Sequence, residues 1–269
     1  MRRTDTHRFG RNDDSGGTNT VNDTLTLGLA LLISSALSVG TSLVIRFRFA
    51  DIIHDEAGLR LLIGQGTWPH KPPRFLAVVF TAIAFVLAWL AAFITPVVFS
   101  DELGTLFPVS ALSLLAGATG WLFWIDSRIH RLPDRLVLPL GAAMFLVTAV
   151  GLVVGYFETV KAAQTAGIRG LIGAAIVVAV FGVLNLVAYV GRWDTIGLGD
   201  VKLGALIGLA VGMVSLWGLI VVLAVANASA LVYWINTKFI KRAKVTHIAF
   251  GPHLLIGTWT AVLLTPLAL

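Results

Sequence analysis

Eight apolar runs, separated by short polar or charged turns, leave this chain few ways to fold. They cover about residues 24–45, 75–99, 105–125, 136–157, 170–190, 201–216, 218–237 and 252–269. A helix needs roughly 17–25 apolar residues to cross a bilayer. The sixth run is short and the last two are marginal; the others meet the requirement. Charged residues make up 13% of the chain and hydrophobic ones 57%, with a mean hydropathy of +0.88. A soluble domain carries about 25% charged residues, so the chain lacks the polar surface that water demands. Lipid is its solvent. In lipid, each backbone polar group must be satisfied inside its own element. The predicted fold class is therefore an all-α polytopic membrane protein with about eight transmembrane helices.

Residues 1–23, "MRRTDTHRFGRNDDSGGTNTVND", are polar and without period. They read as a disordered tail. The first apolar run is too long for the core of a cleaved signal peptide. Residues 24–269 then form one integral membrane domain. Its longest internal loop, 46–74, contains "FADIIHDEAGLRLLIG", which reads as a short amphipathic helix lying on the membrane surface. The chain has no cysteine, so disulfides and thiolate metal sites are excluded.

The net charge of +6 does not point to nucleic acid, because the basic residues sit in turns between apolar runs. They form a topology signal. Arg46, Arg48, Arg60, Lys71, Arg74, Arg128, Arg131, Arg135, Arg192, Lys202, Lys238, Lys241, Arg242 and Lys244 follow the odd-numbered runs; only Lys161 and Arg169 follow the even-numbered ones. The positive-inside rule puts the first group in the cytoplasm and both termini outside. Arg2, Arg3, Arg8 and Arg11 in the tail pull the other way but are outnumbered.

This topology brings two carboxylates to one side. Asp126 ends the third run in "WLFWIDSRIHRLPDR", and Asp200 precedes the sixth in "GRWDTIGLGD". The two are 74 residues apart in sequence and reach the same depth on the same face. A charged carboxylate at mid-helix costs about 2.5–3.5 kcal/mol, and intramembrane acids usually face the bundle interior. Two carboxylates sharing a site do not both ionise easily. One then remains a base that takes a proton from water, and the other stays an acid that donates to a carbonyl oxygen. Such a pair hydrolyses an amide without metal, cofactor or covalent intermediate.

Gly197 and Gly199 flank the second carboxylate and permit positive φ or close backbone approach. Gly204, Gly208 and Gly212 recur every fourth residue after it and predict tight packing against a neighbouring helix. Simpler readings exist for each residue alone. A Gly-rich turn before a helix is common, and Asp126 is near enough in sequence to pair with Arg128 or Arg131. Asp134, after Pro133, reads as the start of the fourth span, and Asp194 as a solvated loop residue. His130, His247 and His253 have no metal-ligand spacing on one helix. The joint placement of Asp126 and Asp200 favours chemistry.

At these residues the sequence resembles the type IV prepilin peptidases, polytopic GxGD aspartic proteases. The first motif stands here as "IDSRIHRLPDRLVLPL", with Asp126, Pro133 and Asp134; the second as "GLGDVKL", with Gly197, Gly199, Asp200 and Lys202. A later motif stands as "AFGPHLLIG", with Phe250, Gly251 and Pro252. The likeness covers about 105–215 and 248–256. The first hundred residues lack the paired zinc-binding cysteines of bifunctional members.

The resemblance implies an aspartic endopeptidase of the inner (cytoplasmic) membrane, with Asp126 and Asp200 catalytic and the other motif residues supporting them. Its site would face the cytoplasm. Its substrates would be prepilins or pseudopilins of pilus assembly or type II secretion, cut at a basic leader. Membrane lipid is the other implied partner; nucleic acid is not one. The absent cysteines weigh against the family's second activity, N-methylation of the new terminus. Two rivals remain. A presenilin or signal-peptide-peptidase type protease would have Tyr where Ile125 stands, and "TPLAL" at 265–269 matches its Pro-Ala-Leu motif only superficially. A proton-coupled transporter would place acids near mid-span and show internal repeats.

Overall fold

The computed structural model describes residues 16–54, 72–98, 102–158, 160–192, 197–240 and 249–267. All regular structure among them is helical: α1 Gly16–Phe47, α2 Phe49–His54, α3 Arg74–Val98, α4 Glu102–Ile129, α5 Asp134–Phe157, α6 Lys161–Gly191, α7 Leu198–Val214, α8 Leu216–Ile235 and α9 Gly251–Leu264. A π-helical turn, Asn236–Ile240, prolongs α8, and a 3-10 turn, Thr265–Leu267, follows α9. The chain is an all-α polytopic membrane protein. Among the described residues, six helices are long and apolar enough to cross a bilayer. The remaining two apolar helices of the eight-run reading, α7 and α9, have 17 and 14 residues.

The boundaries differ from the sequence reading in four places. Helix α1 starts at Gly16, so 16–23 are helical rather than tail; residues 1–15 lie outside the described residues. Helix α6 starts at Lys161, nine residues before the apolar run, because Ala162, Ala163 and Gln164 are good helix formers that need not be apolar. Lys161 and Arg169 are thus helical, not loop, residues. Helix α7 starts at Leu198, so Asp200 lies inside its first turn. There an acid is favoured by the helix dipole. Helix α9 stops at Leu264, short of the expected end at 269. Of the proposed surface helix, only Phe49–His54 is described; the remainder of "FADIIHDEAGLRLLIG" lies outside the described residues.

Helix α4 is the axle of the bundle. In its most apolar stretch 78% of residues are buried, against 17–33% in the other five long helices. Two kinds of contact fix it. On one side, α1 turns a stripe of buried Ser34, Ser38 and Ser42 inward, four residues apart, as a helix face requires. Trp121 of α4 donates its indole N–H to Ser42 Oγ at 3.0 Å, and Ser42 pairs with Thr81 of α3 at 3.0 Å. On the other side, Trp259 of α9 donates to Thr119 Oγ1 at 3.2 Å. Large apolar side chains such as Leu32, Phe145, Leu186 and Trp217 face outward, as expected in lipid.

The contacts also set direction. Helix α4 runs parallel to α1, with Gly117 against Ser38 and Trp121 against Ser42, and antiparallel to α9. Helices α6 and α7 are antiparallel, since Gly204 meets Val177 and Phe181 while Gly212 meets Arg169. The ends of α1, α4, α6 and α8 therefore share one end of the bundle with the starts of α3, α5, α7 and α9. Among the described residues, Arg48, Arg74, Arg128, Arg131, Arg135, Arg192, Lys202 and Lys238 all fall at that end.

Candidate active site

A cavity of about 300 Å³ opens at the basic end of the bundle. Asp126, His130, Arg131, Leu132, Asp134, Gly197, Leu198, Gly199, Asp200 and Lys202 line it. Both aspartates of the sequence reading thus meet in one space, from α4 and α7. Asp126 is 3% exposed, and Asp200 is half-buried. The two carboxylates are close enough to act on each other electrostatically.

Their placement follows from local chain chemistry. Asp126 sits in the last turn of α4, which ends at Ile129; the His130 amide donates to the Asp126 carbonyl at 2.9 Å. His130 has φ 52, the left-handed conformation that closes a helix. Leu132 then turns into the core, and Pro133 caps α5 in extended conformation. The Pro133 carbonyl accepts from the amides of Leu136 and Val137. In α7, the Gly197 carbonyl accepts from the Asp200 amide at 3.0 Å, which aligns the first turn.

Of the two roles expected of these glycines, the structure uses close approach and not positive φ. Gly197 is extended, with φ −60 and ψ 137, and Gly199 lies within helix α7. Neither uses positive φ. Gly199 serves close approach instead: a Cβ there would fall 3.2 Å from Leu132 Cβ and 3.3 Å from Leu132 N. Gly199 therefore lets the two motifs touch. Farther along α7, Gly208 and Gly212 pack on Gly173 and Gly170 of α6. A Cβ at Gly208 would lie 2.6 Å from the Gly173 carbonyl oxygen, and one at Gly173 would collide with the Gly208 carbonyl oxygen. The predicted small-residue stripe has its partner in α6.

Asp126 accepts a hydrogen bond from the Gly251 amide, at 3.1 Å from Oδ2. This bond takes the place of the ion pair to Arg128 or Arg131 that proximity in sequence allowed. The Gly251 amide is near enough to act on the Asp200 carboxylate as well. A Cβ at Gly251 would fall 2.6 Å from Asp126 Oδ2 and 3.4 Å from a Leu203 methyl. Position 251 thus admits no side chain with Asp126 where it is. Phe250 packs its ring edge-on to Phe181, 6.4 Å between centroids, and Pro252 occupies the first turn of α9, where its missing N–H costs nothing. His253 is buried, with Nδ1 3.0 Å from Ser229 Oγ.

Lys202 forms an ion pair with Asp134, Nζ to Oδ1 2.5 Å. It ties the start of α5 to the start of α7 across the cavity mouth. Both residues belong to the sequence motifs, which do not pair them. Spacing carries no signal for that pairing, because it spans 68 residues and two helices. Asp194 and His247 lie outside the described residues. Among the described residues, no group of three His, Asp or Glu stands together to hold a metal.

Chemically, the cavity offers a buried carboxylate held by an amide, a second carboxylate half open to solvent, and cationic groups at the rim. A water between the carboxylates would have both a base and an acid within reach. Compared with known protein families, curated proteins and solved structures, the chain matches none.

Proposed function

We propose that the chain is an aspartic endopeptidase of the prepilin-peptidase type, using Asp126 and Asp200 as a general acid/base pair. One observation carries the reading: the two aspartates, on separate helices, line a single cavity with the residues of both motifs. The third motif adds weight, since Gly251 holds Asp126.

The ionised carboxylate of the pair removes a proton from water, and the resulting hydroxide attacks the scissile carbonyl. The protonated carboxyl donates to the carbonyl oxygen. Collapse of the tetrahedral diol breaks the C–N bond: the departing nitrogen takes a proton from the acid formed in the first step, and the other carboxylate, left ionised by its donation, takes back a hydroxyl proton as the C=O bond re-forms. The Gly251 amide fixes one carboxylate during both steps, which is positioning of the kind that general acid/base catalysis depends on.

The positive-inside rule puts the basic end in the cytoplasm. A substrate with a basic leader held in the cytoplasm, followed by an apolar helix, presents its cleavage junction at that depth. Without cysteines for a zinc site, the reading is cleavage without methylation. Co-expression with a prepilin, followed by mass spectrometry of its N-terminus, tests this. The expected product lacks the leader and carries no added methyl group. An intact leader beside the wild-type protein would refute the activity. The side is tested by single cysteines at Ser127 and Lys161, probed in whole cells with an impermeant thiol reagent. Only position 161 should label, and labelling at 127 would put the cavity on the wrong face.

A further inference from the structure

A second cavity, of about 380 Å³, lies between α1 and α5 with Leu114 of α4 among its lining residues. Apart from Thr41 its described walls are apolar, including Leu37, Gly40, Pro139 and Ala143, except at one end, where Arg48 and Arg135 stand. Arg48 occupies the turn between α1 and α2, and Arg135 the first turn of α5. Both are exposed and lie at the basic end of the bundle, where the helices reach the membrane surface. Arg135 also donates to the Asp51 carbonyl oxygen at 3.4 Å, which holds the guanidinium beside the trough.

We infer that this groove binds one anionic phospholipid, with its phosphate between Arg48 and Arg135 and an acyl chain in the trough. Two observations select that occupant. The first is charge: among the described residues no acidic side chain lines the groove, and two guanidiniums share one end. Guanidinium forks match phosphate oxygens, and basic pockets between membrane helices suit anionic headgroups. The second is the trough itself: from Arg135 to Ala143 it runs along α5 for about 12 Å at 1.5 Å per residue, and, Thr41 apart, its described lining away from the arginines is apolar, as an acyl chain requires. The inference is independent of the proposed protease activity.

The test is native mass spectrometry of the full-length protein released from nanodiscs of phosphatidylcholine with a minority of phosphatidylglycerol. The wild type should retain phosphatidylglycerol about tenfold above its share of the disc, because each basic residue near the surface favours an anionic lipid. Arg48→Gln with Arg135→Gln should abolish the enrichment. Gly40→Phe should lower retention of phosphatidylglycerol; a Cβ at Gly40 meets nothing within 4 Å, so the ring enters open space without disturbing the fold. Equal retention of the two lipids by the wild type would overturn the inference. So would unchanged enrichment in the double variant or, should that variant fail to purify, in Gly40→Phe. Loss of the enriched lipid to added inorganic phosphate would also overturn it, since the trough would then contribute nothing.

Discussion

The two sides of the bundle hold their aspartates by different means. Asp126 sits on α4, which α1 and α9 grip through hydroxyl and indole groups, Trp121 on Ser42 and Trp259 on Thr119, while Thr81 of α3 holds Ser42 in turn. Asp200 sits on α7, which α6 grips through bare backbone at Gly170, Gly173, Gly208 and Gly212. A hydrogen bond between side chains tolerates small displacements, because either partner can rotate. A glycine seam does not, since any added atom meets a carbonyl or a Cα. Helix α7 is thus placed by a glycine seam, and α4 by polar bonds in addition to the close contacts of Gly117 with Ser38 and Gly120 with Phe80; the two meet at Leu132, Gly199 and Gly251.

The largest effect should come from the meeting point. Asp126→Asn and Asp200→Asn should each lower prepilin cleavage by about a thousandfold or more, because members of an acid/base unit fail together. Circular dichroism and elution in detergent should be unchanged. Near wild-type processing by either variant would remove both aspartates from the chemistry.

Gly251→Ala comes next. Its Cβ must push the Asp126 carboxylate aside, and misplacement by about 1 Å can cost a hundredfold in rate. Cleavage should fall by roughly that factor while the helices remain folded. An Ala variant with full activity would show that the Gly251–Asp126 contact is incidental.

The contrast between the two sides is sharpened by thermal unfolding in detergent. Gly208→Val overpacks the seam and should destabilise by about 1–3 kcal/mol. Trp121→Phe removes one buried bond to Ser42 while keeping most of the ring, and should cost about 0.6 kcal/mol, the mean for such bonds between membrane helices. Were the Trp variant the weaker of the two, the division between shape and polar bonding would be reversed.

The smallest effect belongs to the rim. Lys202 and Asp134 are 37% and 58% exposed, and exposed ion pairs contribute about 0–1 kcal/mol. Lys202→Met should change cleavage only a few-fold, and addition of salt to the wild type should mimic it. A loss as large as that of Asp200→Asn would promote Lys202 from a strut to part of the chemistry.

Much of this frame was legible from the residues. Bilayer thickness dictates run length, so the long helices could be read directly. Strict alternation of direction then carried Asp126 and Asp200 to one end. The helix starts were less legible where polar residues such as Lys161 or Asp200 lie in the first turn, because hydropathy does not register a helix that begins in water. The stripe of Gly204, Gly208 and Gly212 announced a close neighbour but not which one, although α6 carries its own repeat of Gly167, Gly170 and Gly173. Among the described non-glycine residues the left-handed ones are His130 and Arg192, whereas the glycines beside Asp200 adopt ordinary angles. The Gly251 amide on Asp126 was invisible in sequence, since it depends on where the last helix lands.

That last bond has a consequence for synthesis. Asp126 is translated 125 residues before the amide that binds it. At about 5–20 residues per second, a ribosome takes roughly 6–25 s to cover that distance. Throughout that interval α4, the least hydropathic of the six long helices, waits in the membrane with its carboxylate unclaimed by α9. The bond forms only once residue 251 has been made and α9 has docked, so a nascent protein carries both aspartates before it carries the amide that holds one of them.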